Sequence, residues 1–473
     1  MIKKCILFLS MLSLCFSNNA SEQKTTPLLS FKKEVAKLVI LEDKARIEEH
    51  IACGFDINSP ISSDGAVFLH VVCVHPTDKQ DLVRFLISKG ANINVRAGQI
   101  LMGPLHVACA QGNSEVVNEL IMAGAIINSR NDKGETPLYT ACEAGQTIIV
   151  SRLLQEPSIQ LELVNTDFDA TALHMACLKG HILIVNKLIY KGASINAQNK
   201  DGATPLFLAC QEGYSQVVNT LLDHGAHIDT SAFDGATPFH VAVTRGHIAI
   251  MRILQRRGAQ IHLAKTSSVT PLYSACQNGK IATVEFLLTH NADIRTKHRV
   301  TGFTVLHLAC VLDRMPIVKL FLNNKQRSEF LINDPAIMDV SQLRSDGKLN
   351  DVSFEPEGIR INPHTHTGHT PLHLACWWGN NELVKLLLDA GADIHLKTTG
   401  GATALDFAQE KNHEEIVALL KQSRCGECHS PAKFLKCAGC KRVFYCNEVC
   451  QKKHWKIHKQ ACKKCSQQNI LNV

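Results

Sequence analysis

The fragment Thr-Pro-Leu recurs along this chain at a spacing close to 33 residues, and that period constrains the fold more than any other feature. Thr136-Pro-Leu-Tyr, Thr171-Ala-Leu-His, Thr204-Pro-Leu-Phe, Thr237-Pro-Phe-His and Thr270-Pro-Leu-Tyr stand 35, 33, 33 and 33 residues apart. Thr304-Val-Leu-His follows 34 later, and Thr370-Pro-Leu-His 66 later, twice the basic period. Between them recur endings such as Gly90-Ala-Asn-Ile-Asn, Gly192-Ala-Ser-Ile-Asn and Gly391-Ala-Asp-Ile-His. Length alone would suggest about three domains. A repeat of this size instead means one small structural unit copied end to end.

Each unit reads as a pair of helices. Thr caps free backbone N–H groups and Pro is tolerated in the first turn. The following Leu-x-x-Ala-Cys places apolar side chains on one face of a short helix. A second run, such as Val217-Val218-x-x-Leu221-Leu222, has the spacing of a longer amphipathic helix. Gly then ends it, where a left-handed backbone costs least. One unit cannot bury its own faces, but stacked neighbours can, so the expected product is an elongated helical solenoid with a concave side. The pattern resembles the ankyrin repeat, from about residue 31 to 424 in roughly ten units with a divergent first one. The resemblance implies an all-α ankyrin-repeat solenoid of helix pairs joined by hairpin loops. Binding is expected at hairpin tips and concave helix faces, with Arg295, Lys297, His298 and Arg299 as candidates on one tip.

Two departures stand out. Between Asn323 and His366 one helix pair is missing, although Gly358-Ile-Arg-Ile-Asn362 keeps the usual ending in register. The stretch reads as an irregular insertion in a degenerate unit, and a mobile insertion is expected there rather than a binding loop. In the final unit Ala404-Leu405-Asp406 replaces the His turn, and Glu414 and Glu415 sit on the second helix, as a capping repeat requires.

Cysteine marks a second domain. Cys425, Cys428, Cys437, Cys440, Cys446, Cys450, His458 and Cys462 fall within 38 residues, too few to bury a useful apolar core. Two CxxC knuckles, a CxxxC and an HxxxC offer two closed tetrahedral sets, one of four cysteines and one of three cysteines with a histidine. Structural zinc would supply roughly 10–16 kcal/mol of folding free energy. Spacing leaves consecutive and interleaved sets both open. The full ligand pattern, with Tyr445, Gln451 and Trp455, resembles a MYND-type zinc finger over residues 425–462. That resemblance implies interleaving: Cys425, Cys428, Cys446 and Cys450 on one zinc, Cys437, Cys440, His458 and Cys462 on the other. It also implies short peptides as partners, met near Gln451 and Trp455, although Trp455 reads equally as the core plug of so small a domain. A basic and polar tail follows at 463–473.

Nineteen cysteines would suggest an oxidised scaffold until they are placed. Eight of them, Cys73, Cys109, Cys142, Cys177, Cys210, Cys276, Cys310 and Cys376, take one equivalent position per repeat. Packed helices lie about 8–10 Å apart, whereas a disulfide needs Cα atoms within about 7 Å. These are expected to be buried thiols in a reducing compartment. The start of the chain disagrees: Lys3 and Lys4 precede an apolar run from Cys5 to Phe16, with a cleavage point after Ala20. Residues 1–20 thus have the outline of a secretory signal, too short for a membrane span. Leu12-Ser-Leu-Cys15 also resembles a lipoprotein box, though Leu14 sits where a small residue is expected. A bacterial protein exported to work in the cytosol of a host cell reconciles the two; a buried apolar segment in a cytoplasmic protein is the alternative.

Residues 425–473 carry ten Lys/Arg and two acidic residues, a balance of +8 that leaves −1 for the remainder. A solvated basic helix end is expected there rather than a specific nucleic-acid site. His364, His366, His369 and His373 gather at one repeat junction and form a weak metal candidate. No phosphate-cradling loop and no nucleophile elbow occur. His413-Glu414 opens a zinc-protease-like run, but Val417 stands where its second His would be. The chain therefore reads as a non-enzymatic adaptor with protein and peptide partners. The alternatives are a nucleic-acid-associated regulator led by the basic tail, or an accessory subunit that recruits a modifying enzyme.

Overall fold

The computed structural model describes residue 38, residues 41–323, 368–422 and the dipeptides 435–436 and 444–445, apart from 62–64, 76–78, 98–99, 267 and 300. Two compact units share these residues, one of Met1–Phe233 with Arg252–Gly258 and one of Asp234–Met251 with Ala259–Val473.

The first unit holds α1 (Lys44–Ala52), then five pairs: α2 (Phe68–Val74) with α3 (Gln80–Ser88), α4 (Pro104–Gln111) with α5 (Ser114–Met122), α6 (Pro137–Ala144) with α7 (Thr147–Leu153), α8 (Ala172–Leu178) with α9 (Ile182–Tyr190), and α10 (Pro205–Glu212) with α11 (Ser215–Asp223). First helices pack in the order α2, α4, α6, α8, α10, and second helices in the order α3, α5, α7, α9, α11. Helix α12 (Pro238–Arg245) lies in the second unit, and α13 (Ile248–Arg256) is divided between the units after Met251; the second unit also holds α14 (Pro271–Gln277), α15 (Ile281–Thr289), α16 (Val305–Val311), α17 (Met315–Asn323), α18 (Pro371–Trp378), α19 (Asn381–Asp389), α20 (Ala404–Glu410) and α21 (Glu414–Gln422). There α12, α14, α16, α18 and α20 pack in sequence.

The Thr-Pro turn behaves as its chemistry demands. Thr136, Thr204 and Thr270 accept at Oγ1 from the backbone N–H three residues on, each at 3.2 Å. Behind each cap lies the core, of which Leu138, Ala141, Cys142, Ile149, Val150 and Leu153 are a sample, none more than 1% exposed. The eight ladder cysteines are all free and buried. Burial alone holds the Cys142 thiol protonated, far above its ordinary range. In α12 the ladder position is Val243, also fully buried, so the site asks for a small apolar volume rather than a thiol.

Glycine closes most first helices for two reasons at once. Gly145 sits at φ 75°, and a Cβ there would stand 2.8 Å from the ring of His181 in the next repeat. Gly180, at φ 74°, is covered in the same way by Tyr214. Left-handed backbone and a side chain laid across it both exclude other residues.

The insertion expected between Asn323 and His366 lies outside the described residues. Helix α16 packs directly on α18. Asn380 donates to Asp313 at 2.7 Å, and Lys319 pairs with Glu382 at 3.1 Å. The repeats on either side of that stretch are therefore spatial neighbours. Near the C-terminus, β1 (Leu435–Lys436) and β2 (Phe444–Tyr445) pair antiparallel, Leu435 opposite Tyr445.

Candidate functional site

The buried histidines come first, since they are the obvious catalytic suspects. His174 Nδ1 lies 3.2 Å from the Thr171 backbone N–H and 2.9 Å from its hydroxyl. An atom facing an N–H accepts, so the ring proton sits on Nε2, which points at the carbonyl of Ala203 in the next repeat, 3.2 Å away. His106 does the same toward Glu135 at 3.0 Å, and His70 toward Met102 at 2.9 Å. Both ring nitrogens are committed to structure, one to the local cap and one to the neighbour. Burial pushes His106, His174, His240 and His373 down to about 4. His70, His106 and His174 thereby act as inter-repeat rivets.

Asp406 completes the logic. In the last repeat its carboxylate accepts from the Thr403 N–H and hydroxyl, both at 2.7 Å. These bonds hold its pKa below the usual carboxylate value. It takes over the local half of the histidine's task. No further repeat follows α21 among the described residues, so the second half is not needed.

A second ladder was not anticipated from sequence. The asparagines that end Gly-Ala-x-Ile-Asn reach the next repeat's backbone: Asn94 accepts from Ile126 N–H at 2.9 Å, Asn128 from Gln160 at 3.1 Å and Asn196 from His227 at 2.8 Å. The signal was the recurrence of Asn at that place, noted as punctuation but not as a bond.

Of the four tip candidates, Arg295, Lys297 and Arg299 are exposed. His298 is not: it is 2% exposed, stacks on Tyr273 at 5.2 Å and faces Thr301 through Nδ1 at 3.1 Å. Its role is packing, which removes it from the candidate set. His369 and His373 are likewise buried, their rings 6.0 Å apart and both against Phe407. His364 and His366 lie outside the described residues. Among the described residues no three His, Cys, Asp or Glu side chains gather to hold a metal. No helix among them is long and apolar enough to cross a membrane.

The metal ligands Cys425, Cys428, Cys437, Cys440, Cys446, Cys450, His458 and Cys462, the contacts Gln451 and Trp455, and residues 1–20 lie outside the described residues. What is described is the β1–β2 hairpin, whose strands directly precede Cys437 and Cys446 in the chain. Seven thiol donors and one imidazole form a soft donor set that suits zinc.

Comparison with known proteins agrees with this geometry. The family model for ankyrin repeats matches residues 105–199, 179–265, 257–334 and 347–430, well over half of the chain. The model for the MYND finger, a zinc-binding module, matches 423–462. NF-kappa-B inhibitor alpha from Homo sapiens is 31% identical over 144 residues, which is 29% of this chain and 45% of that protein. Palmitoyltransferase ZDHHC17 from Homo sapiens is 26% identical over 190 residues, 33% of this chain and 30% of that protein. These matches span less than half the length of either relative. The repeat geometry and the two family matches together make this chain a member of the ankyrin-repeat family with a MYND finger at its C-terminal end.

Proposed function

We propose that this chain is a non-enzymatic adaptor whose ankyrin array holds one protein while its MYND finger holds a short peptide segment of another. One observation carries the reading. The buried His70, His106, His174 and His307 at the first-helix turns each bond a backbone carbonyl of the neighbouring repeat, while exposed positions at the hairpin tips change from repeat to repeat. At the hairpin tips these are Asp132, Thr166, Lys200, Phe233, Thr266 and Arg299. A scaffold kept constant inside and varied outside is built for recognition.

In this reading two structural zincs occupy the finger, on Cys425, Cys428, Cys446 and Cys450 and on Cys437, Cys440, His458 and Cys462, and the peptide lies near Gln451 and Trp455. The name of one relative, NF-kappa-B inhibitor alpha, supports an interaction role for an array of this kind. The buried, protonated thiols of the array suit a reducing compartment. Lys3 and Lys4 followed by the apolar run from Cys5 to Phe16 suit export, so we place the work in the cytosol of a recipient cell. Fractionation that finds only uncleaved chain inside the producing cell would overturn that address.

The adaptor reading is tested by affinity capture with the full chain and two variants. Cys462→Ser should lose one set of captured proteins, and charge substitutions on the exposed array should lose a different set. Capture of one set lost equally by both would remove the two-partner reading.

A further inference from the structure

We infer that the exposed face of α9, with Ile148 of α7 beside it, is a docking site for an amphipathic helix of a partner protein that presents two large apolar side chains with a carboxylate between them. The inference rests on the adaptor reading and names the chemistry of one array partner.

A second helix spends its apolar stripe on the stack and turns a polar face to solvent. Helix α9 buries Ile184, Val185, Leu188 and Ile189 in that way. Its other face breaks the rule. Leu183 is 61% exposed and Tyr190 95%, with Lys187 exposed between them. Positions four and seven residues on from Leu183 lie on its own side of the helix, so the three side chains form one stripe. Its apolar ends stand about 10.5 Å apart along the axis. The same places in α11 hold Gln216, Thr220 and Asp223, so the stack itself requires none of the three. Helix α7 adds Ile148, 73% exposed and, like Leu183, the second residue of its helix. Helices α7 and α9 pack side by side, which sets the two side chains at one level of a shared surface.

Charge selects the occupant. On one side of α9 Arg152 holds Glu156 at 2.5 Å, and on the other Arg257 holds Asp223 at 2.6 Å. Among the described residues no carboxylate pairs with Lys187 or Lys191. An apolar stripe with a cation at its middle asks for the converse in its partner. Two apolar anchors seven residues apart, with Glu or Asp between them, is the spacing that one helix face provides. A second copy of this chain would bring its own Lys187 to the centre of a symmetric contact, cation against cation. A membrane surface is held by clusters of about four to eight cations, more than this stripe carries. An acidic amphipathic helix is the better fit.

The test uses the full reduced chain and two fluorescein-labelled peptides of identical composition. One carries Leu at positions seven apart with Glu between them on the same helical face, and the other scrambles that order so that no face is apolar. Vesicles of phosphatidylserine with phosphatidylcholine serve as a third probe, and sedimentation velocity reports self-association. The ordered peptide should bind at least about tenfold more tightly than the scrambled one. Leu183→Gln with Tyr190→Asp, which copies α11, should remove that preference with an unchanged melting curve. Ile148→Gln should weaken the same binding from outside α9, and Lys187→Thr should weaken it and flatten its salt dependence. Equal binding of the two peptides, a preference that survives the α9 substitutions, stronger binding to the vesicles, or self-association that the α9 substitutions abolish would each overturn the inference. Captured array partners that survive the α9 substitutions would leave the adaptor reading standing and this face refuted.

Discussion

The imidazole Nε2 of His307 donates to the backbone carbonyl of His369, 3.1 Å away in space and 62 residues away in the chain. The equivalent bonds of His106 and His174 each span 29 residues. The difference is one full repeat of chain that contributes no layer between α16 and α18. Replacing residues 328–364 with a short Gly-Ser linker should therefore leave the array's thermal midpoint within about 5 °C of the parent. A larger fall, measured by circular dichroism, would mean that the segment covers a face of the stack.

The histidine rivets make stability depend on pH. His174 titrates near 6.5 when unfolded and about 4 when folded, because burial disfavours its charged form. Between those values the unfolded chain binds more protons, so its contribution is intact above about pH 6.5 and is lost progressively toward pH 4. The loss amounts to something on the order of 3 kcal/mol for this group. His174→Phe, which copies the residue present at Phe207, should flatten the decline of urea stability between pH 7 and pH 5. An unchanged slope would show that His174 is not neutral in the fold.

How much of this was legible in the sequence depends on what each residue's pattern counts. Thr-Pro, the ladder cysteine and the closing Gly mark local chemistry, so their positions predicted the helix pairs. Asp406 in place of His was readable as a cap, although its hydrogen-bond logic needed the geometry. The 66-residue step from Thr304 to Thr370 counts chain, not space; that the helices it separates, α16 and α18, pack on one another needed the geometry. The four basic residues at 295–299 are not alike, since the alternation of Ile294, Thr296 and His298 along the sequence turns His298 inward.

Asp406→Ala should cost about 1 kcal/mol by removing the box that caps α20. Asp406→His should recover most of it at neutral pH, since the local half of the task needs only an acceptor. Chemical denaturation of the full chain reads both. Equal loss in the two variants would assign Asp406 some role other than capping.

The ladder thiols should be silent. In native protein the eight array cysteines should not react with a disulfide reagent, whereas exposed Cys53 should. Cys142→Val, which copies Val243, should be nearly neutral. Cys142→Ser should cost roughly 1 to 3 kcal/mol by burying a hydroxyl where a small apolar group fits. Serine as harmless as valine would show that water reaches the ladder.

Zinc content discriminates between the two ways of sharing the finger's ligands. Wild-type protein, freshly reduced, should hold two zincs, and chelation should leave the array's helical signal in place because the array has its own core. Single substitutions of Cys446 or Cys462 should each remove one metal under either arrangement. The pairs decide. If the sets interleave, Cys428→Ser with Cys446→Ser strikes one site and leaves one zinc, while Cys446→Ser with Cys462→Ser strikes both and leaves none. If the sets are consecutive, the outcomes exchange. Emission spectrometry on the two double variants therefore assigns the pairing without any reference to the family. Zero zinc in the reduced wild type would mean that these cysteines hold no metal, and the peptide site near Gln451 and Trp455 would fall with it.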